Sequence, residues 1–154
     1  MTLNQNQFNQ SPVQGQMDLQ RSKNLLSCEV DVSSAGGLIP GQAVKLVDQL
    51  GKLPHVVECA ADSDLVFGYI AYNLKDRTYA ALDRVEISTG ADDVMYMTAA
   101  GALSVLTPIM PVIASKKVTA ATGGKPISGY NLDKASADGD LIRVVVACPA
   151  FFKM

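Results

Sequence analysis

Turn-forming residues recur roughly every ten positions along most of this chain, and that rhythm limits the fold more than any other feature. Between the turns lie short apolar or alternating runs: SCEVDV, QAVKLVD (42–48), HVVECA (55–60), LVFGYIAY (65–72), RVEIS (84–88), VMYMTA (94–99), ALSVLT, IMPVIAS, PISGYNL (126–132) and LIRVVVAC (141–148). The separators are clusters such as SSAGGLIPG, ADSD, TGADD and ADGD, in which Gly, Pro and Asp favour reversal of the chain. A parallel α/β fold needs a helix between successive strands, and the intervals leave no room for one. Only NLKDRTYAALD (73–83) could form a short helix in competition with extended chain. The expectation is an all-β fold, a compact antiparallel β-barrel or jelly-roll-like sandwich.

Individual segments carry sharper expectations. SCEVDV places Cys28, Val30 and Val32 on one face, the period of a half-buried strand. The valine run in LIRVVVAC predicts a strand buried on both faces and ended by Pro149. Val94 to Ser115 is uncharged and long enough to span a membrane. Pro108 and Pro111 would break such a helix, so this stretch reads as two buried strands, with no membrane partner.

The beginning of the chain has a different texture. The first twenty residues hold six glutamines, three asparagines and one charged side chain, Asp18. Leu3, Phe8, Val13, Met17 and Leu19 follow neither a helical nor a strand period. Residues 1–26 therefore read as an extended Gln/Asn-rich N-terminal arm, and residues 27–154 as the β domain. Ordering twenty residues costs on the order of 20–40 kcal/mol. Offsetting that takes on the order of 1,000 Å² of apolar burial, more than one small barrel offers. The arm is expected to gain its order from a neighbouring subunit or an underlying lattice, through amides that donate and accept without burying charge. The candidate partner-binding residues are Asn4, Gln5, Gln7, Phe8, Gln10, Val13 and Gln16, joined by Phe151 and Phe152 in the C-terminal PAFFKM.

Chemistry is sparse. Thirteen basic residues against fifteen acidic ones, with a pI near 5.2, give no clustered positive charge for nucleic acid. Cys28, Cys59 and Cys148 are widely spaced and odd in number, which predicts buried free thiols in a reducing compartment and no zinc site. The start of the chain lacks the charge and apolar pattern of an export signal. His55 is the single histidine, at the edge of a strand, and is expected to be structural or solvent-exposed. ATGGKP has neither the glycine spacing nor the Ser or Thr of a phosphate loop. Asp62, Asp64, Asp92 and Asp93 read as solvated turns, since ADSDLVFG lacks the glycine and closing Glu of a calcium loop. No catalytic residue, metal or cofactor is expected, and the chain is expected not to be an enzyme.

From Leu38 onward three pieces carry a resemblance. They are IPGQAVKLVD (39–48), VFGYIAYNLKD (66–76) and ISGYNLDKASADGDLIRVVV (127–146). In their order they resemble the capsid cement, or decoration, proteins of tailed bacteriophages. The resemblance implies a non-enzymatic virion protein, made in the bacterial cytoplasm and carried on the capsid exterior. It implies binding to itself as a dimer or trimer and to the major capsid protein, clamping neighbouring subunits after the shell expands. Two other readings stand beside it: a tail or baseplate β domain, and a small-ligand or sugar-binding barrel.

Overall fold

Ten short strands carry the regular structure of the computed structural model, which describes residues 12–18, 25–47, 53–72, 78–90 and 93–148. They are β1 (Leu25–Val30), β2 (Ala43–Val47), β3 (His55–Glu58), β4 (Gly68–Ile70), β5 (Arg84–Ser88), β6 (Val94–Thr98), β7 (Pro108–Val112), β8 (Lys117–Ala120), β9 (Gly129–Asn131) and β10 (Leu141–Val146). The fold is all-β, as the punctuation of the sequence predicts, and no helix occurs among the described residues. None there is long and apolar enough to cross a membrane.

The first five strands close into a barrel in the order β1-β3-β2-β4-β5. Every pairing in it is antiparallel except β1 with β3. The last five form a sheet in the order β6-β10-β9-β7-β8, whose two edges approach through the parallel bridge Ala99–Val118. The two halves are one topology repeated. Matching β1–β5 in sequence to β6–β10 carries each pairing onto its counterpart without a slip in register. Val30–Val56 becomes Ala99–Val118, Leu25–Ser88 becomes Val94–Val145, and Tyr69–Ser88 becomes Tyr130–Val145. Turns correspond too: Leu82 donates to Val30 as Gly139 donates to Ala99, and both occupy positive φ.

A pair of glycines shows why the pattern recurs. At Gly68 a Cβ would lie 2.3 Å from Ile87 Cγ2 and 2.6 Å from the Ser88 carbonyl. At its counterpart Gly129 it would lie 2.4 Å from the Val145 carbonyl. In each half the fourth strand approaches the fifth too closely for a Cβ, and only glycine fits there.

Two apolar clusters follow from the repeat. Cys28, Val30, Val44, Val56, Phe67, Ile70, Val85 and Ile87 fill the first barrel. Met95, Met97, Ile109, Val118, Ile142, Val144 and Val146 fill the second. Ala43, Cys59, Tyr69 and Ala71 point out of the first barrel and join the second cluster, so one wall is shared. Pro111 sits within β7 opposite Val118. Hydrogen bonding of Ala121 to Pro108 fixes the alternation, leaving Pro111 at a non-bonded position where its missing N–H costs no ladder bond.

Three local expectations are corrected. Val32 lies beyond β1 and is 65% exposed, because the chain turns at Asp31. ALSVLT is not a strand: Val105 and Leu106 form an exposed turn, with Leu106 at φ 58°. β10 alternates, with Ile142, Val144 and Val146 buried and Leu141, Arg143 and Val145 half-exposed, so its second face is not covered by another layer. Pro149 lies outside the described residues, as do the aspartate at 92 and part of the segment 73–83.

Candidate assembly interface

Residues 12–18 run as a wedge against both barrels. Asp18 donates to the Val94 carbonyl at 2.8 Å, Tyr96 donates to Gln16 at 2.8 Å, and Gly15 donates to Tyr96 at 2.7 Å. Gly15 also accepts from Tyr72 of the first barrel at 2.8 Å. Met17 pairs with Met95 and is 6% exposed, its side chain in the second core. The Gln14 amide donates to the carbonyls of Pro40 and Lys116, one from each half. Gly15 and Gly41 interlock: a Cβ on Gly15 would meet the Gly41 nitrogen at 2.6 Å, and one on Gly41 would meet Gln14 Cγ at 2.3 Å.

This corrects the expectation that the whole leader finds its surface elsewhere. Residues 12–18 gain their order from their own chain. Met17 gives no sign of this in the sequence, being one large apolar residue in a polar run, too isolated to give a period. Of the candidate partner-binding residues, Gln16 uses its side-chain oxygen to accept from the Val13 N–H. Val13 remains 36% exposed. With Gln14, Ile39, Pro40 and Tyr72 it lines a shallow pocket of about 200 Å³. Asn4, Gln5, Gln7, Phe8, Gln10, Phe151 and Phe152 lie outside the described residues.

The shared wall suggests where else the molecule can make contact. In the first barrel Ala43 and Tyr69 face the second barrel and are covered. Their counterparts by register are Pro108 and Tyr130, which are exposed. Tyr130 is 43% exposed, and Val105 and Leu106 beside this face are 54% and 67% exposed. Leu106 is tied to it by donating to the Asn131 carbonyl. This face cannot be singled out from the sequence, because nothing in the residues alone separates Tyr69 from Tyr130.

Charged groups do structural work at the rims. Asp31 accepts from the Ser33 hydroxyl and backbone N–H and lies 3.1 Å from His55 Nδ1; together these hold its carboxyl down at about 2. Glu29 approaches the other ring nitrogen at 3.7 Å, so His55 is clasped by two acids across β1 and β3. Arg143 grips Asp133 with two nitrogens at 2.8 and 2.9 Å, which lowers the carboxyl and raises the guanidinium. At the joint, Tyr69 shares a hydrogen bond with Ser128, and burial raises its hydroxyl well above the usual range. Cys28, Cys59 and Cys148 are free and buried. Burial first, then neighbouring acid groups, pushes Cys28 and Cys59 up to about 12. Among the described residues, no three His, Cys, Asp or Glu side chains converge on a point that could hold a metal ion.

A fold of two such barrels in tandem defines the class, and a solved bacteriophage protein shares it. That protein is the head fiber gp8.5 N base of bacteriophage phi29, similar with a TM-score of 0.55 and 13% identity. The match covers 80% of this chain and 95% of that one. No family model matches the chain, and no curated protein matches its sequence.

Proposed function

We propose that this chain is a structural protein of a phage virion, carried on the outside of the head and without enzymatic activity. The observation that carries the reading is the tandem-barrel architecture, which matches nearly the whole N base of a phage head fiber. In the finer form, the protein binds the major capsid protein after expansion and cements neighbouring subunits, acting as a dimer or trimer. The exposed face of Pro108, Tyr130 and Leu106 supports a partner-binding role, since it repeats the wall that Ala43 and Tyr69 bury. A protein that binds only the expanded lattice stabilises that lattice by mass action.

The test is to mix purified protein with unexpanded and expanded heads of the phage that encodes it. A fixed number of copies per capsomer on expanded heads only, with greater resistance of those heads to heating, is the expected result. Tyr130→Asp should reduce occupancy at least tenfold. Absence from heads, with recovery on tails or baseplates, would refute the head assignment.

A further inference from the structure

The repeat leaves the two barrels unequal at one place. In the second barrel, the edge of β6 at Val94–Tyr96 is covered by Gln14–Asp18, through the Val94 carbonyl, the Tyr96 N–H and the Tyr96 carbonyl. The counterparts in the first barrel are the Leu25 carbonyl and the Ser27 N–H and carbonyl. On that side β3 pairs with β1 only from Glu29 onward. Glu29 donates to Pro54, and Pro54, with no N–H, cannot carry the parallel ladder back to Ser27. Among the described residues no strand pairs with this stretch of edge. The apolar record agrees. Met95, beneath Met17, is 0% exposed, whereas its counterpart Leu26 is 40% exposed. Leu46, at the same end of the barrel, is 48% exposed.

The leader holds a second version of the segment that fills the other seam. Gln14-Gly15-Gln16-Met17-Asp18 is preceded nine residues earlier by Gln5-Asn6-Gln7-Phe8-Asn9. The two share both glutamines. A large apolar residue matches Met17, and an amide replaces the carboxylate of Asp18. Asn stands where Gly15 takes φ 82°, and Asn is the residue that next most readily enters that region.

We infer that Gln5–Asn9 of a second copy of this chain adds a strand along Leu25–Ser27, with Phe8 covering Leu26 as Met17 covers Met95. Reach decides between copies. The wall of β4, β5 and β1 separates Gly15, held by Tyr72, from the Leu25–Ser27 edge, about three strand spacings or ~15 Å around a curved surface. Only residues 10–13 separate the two motifs, and the Val13–Gln16 turn holds the last two, so the chain free to stretch between Asn9 and Pro12 spans only about 10 Å. A neighbour's leader is under no such tension. The inference names how copies would join and does not depend on which surface they decorate.

Met17 and Met95 form a non-bonded antiparallel pair, the geometry in which facing cysteines close a disulfide. Full-length chains carrying Phe8→Cys and Leu26→Cys are mixed at high micromolar concentration and oxidised without denaturant. A covalent heterodimer is expected, at least tenfold above the yield when Leu82→Cys replaces Leu26→Cys. Phe8→Asp should abolish self-association in sedimentation without changing the monomer's circular dichroism. Equal capture by both cysteine chains, or no capture, overturns the inference. So does a Phe8→Cys/Leu26→Cys double variant that closes only within one chain. These readings use no capsid, so they fail or succeed apart from the head assignment.

Discussion

Replacing Gly15 with alanine isolates the contact that locks the wedge. Gly15 has φ 82°, and its Cβ would lie 2.6 Å from Gly41 N, 2.6 Å from Pro40 Cβ and 2.8 Å from the Pro40 carbonyl carbon. Those atoms belong to backbone and a ring, so no rotamer relieves them. Left-handed backbone alone costs an alanine about 1–2 kcal/mol. The clash adds to that until the wedge leaves its groove, and there the loss saturates. Leaving forfeits the burial of Met17, about 1.5–3 kcal/mol, and main-chain bonds of about 1 kcal/mol each, offset partly by regained chain entropy. A net loss of about 2–4 kcal/mol should lower Tm by roughly 5–15 °C. Gly37→Ala is the control, because Gly37 has φ 69° with nothing within 4 Å of a Cβ. It should lose only the backbone share, about 1 kcal/mol. Hydrogen exchange supplies the second reading: in Gly15→Ala the amides of Tyr72 and Tyr96, which donate to Gly15 and Gln16, should lose protection together. Equal Tm values for the two variants, with both amides still protected, would refute the interlock.

Three further outcomes are expected. Gly68→Ala and Gly129→Ala should each cost about 3 kcal/mol in urea unfolding, by similar amounts, since each Cβ meets a carbonyl of the neighbouring strand inside contact distance. Because the folded-state carboxyl of Asp31 is held at about 2, its contribution should be complete above the ordinary carboxylate range and be lost as pH falls from about 4 to about 2. Asp31→Asn should flatten the urea midpoint across that window. A thiol reagent at pH 8 should leave the native protein unmodified and label all three cysteines once denaturant is added, because burial holds the thiols protonated.

Much of the strand pattern was legible. RVEIS is β5 to the residue, and among the described residues VMYMTA and QAVKLVD each overrun β6 and β2 by one position, because alternation and turn residues agree there. ALSVLT misled because Leu106 adopts a backbone region where glycine is the usual signal, while its counterpart in the first barrel is Gly41. The duplication itself was hidden. The halves share a hydrogen-bond register and the Gly-Tyr of Gly68–Tyr69 and Gly129–Tyr130, but few other side chains, so composition shows no period. Of the candidate interface, the polar leader was visible, yet the seat for Met17 was not. That seat is assembled from β6 and the Pro40–Gly41 turn, which are distant from it in sequence.

The seating of residues 12–18 also orders events in time. The carbonyls and amide that receive them belong to Val94 and Tyr96, made some eighty residues later. This stretch therefore cannot come to rest until β6 has been made. Its docking requires elements of both halves, and any product cut short before Val94 would leave Met17 without a berth.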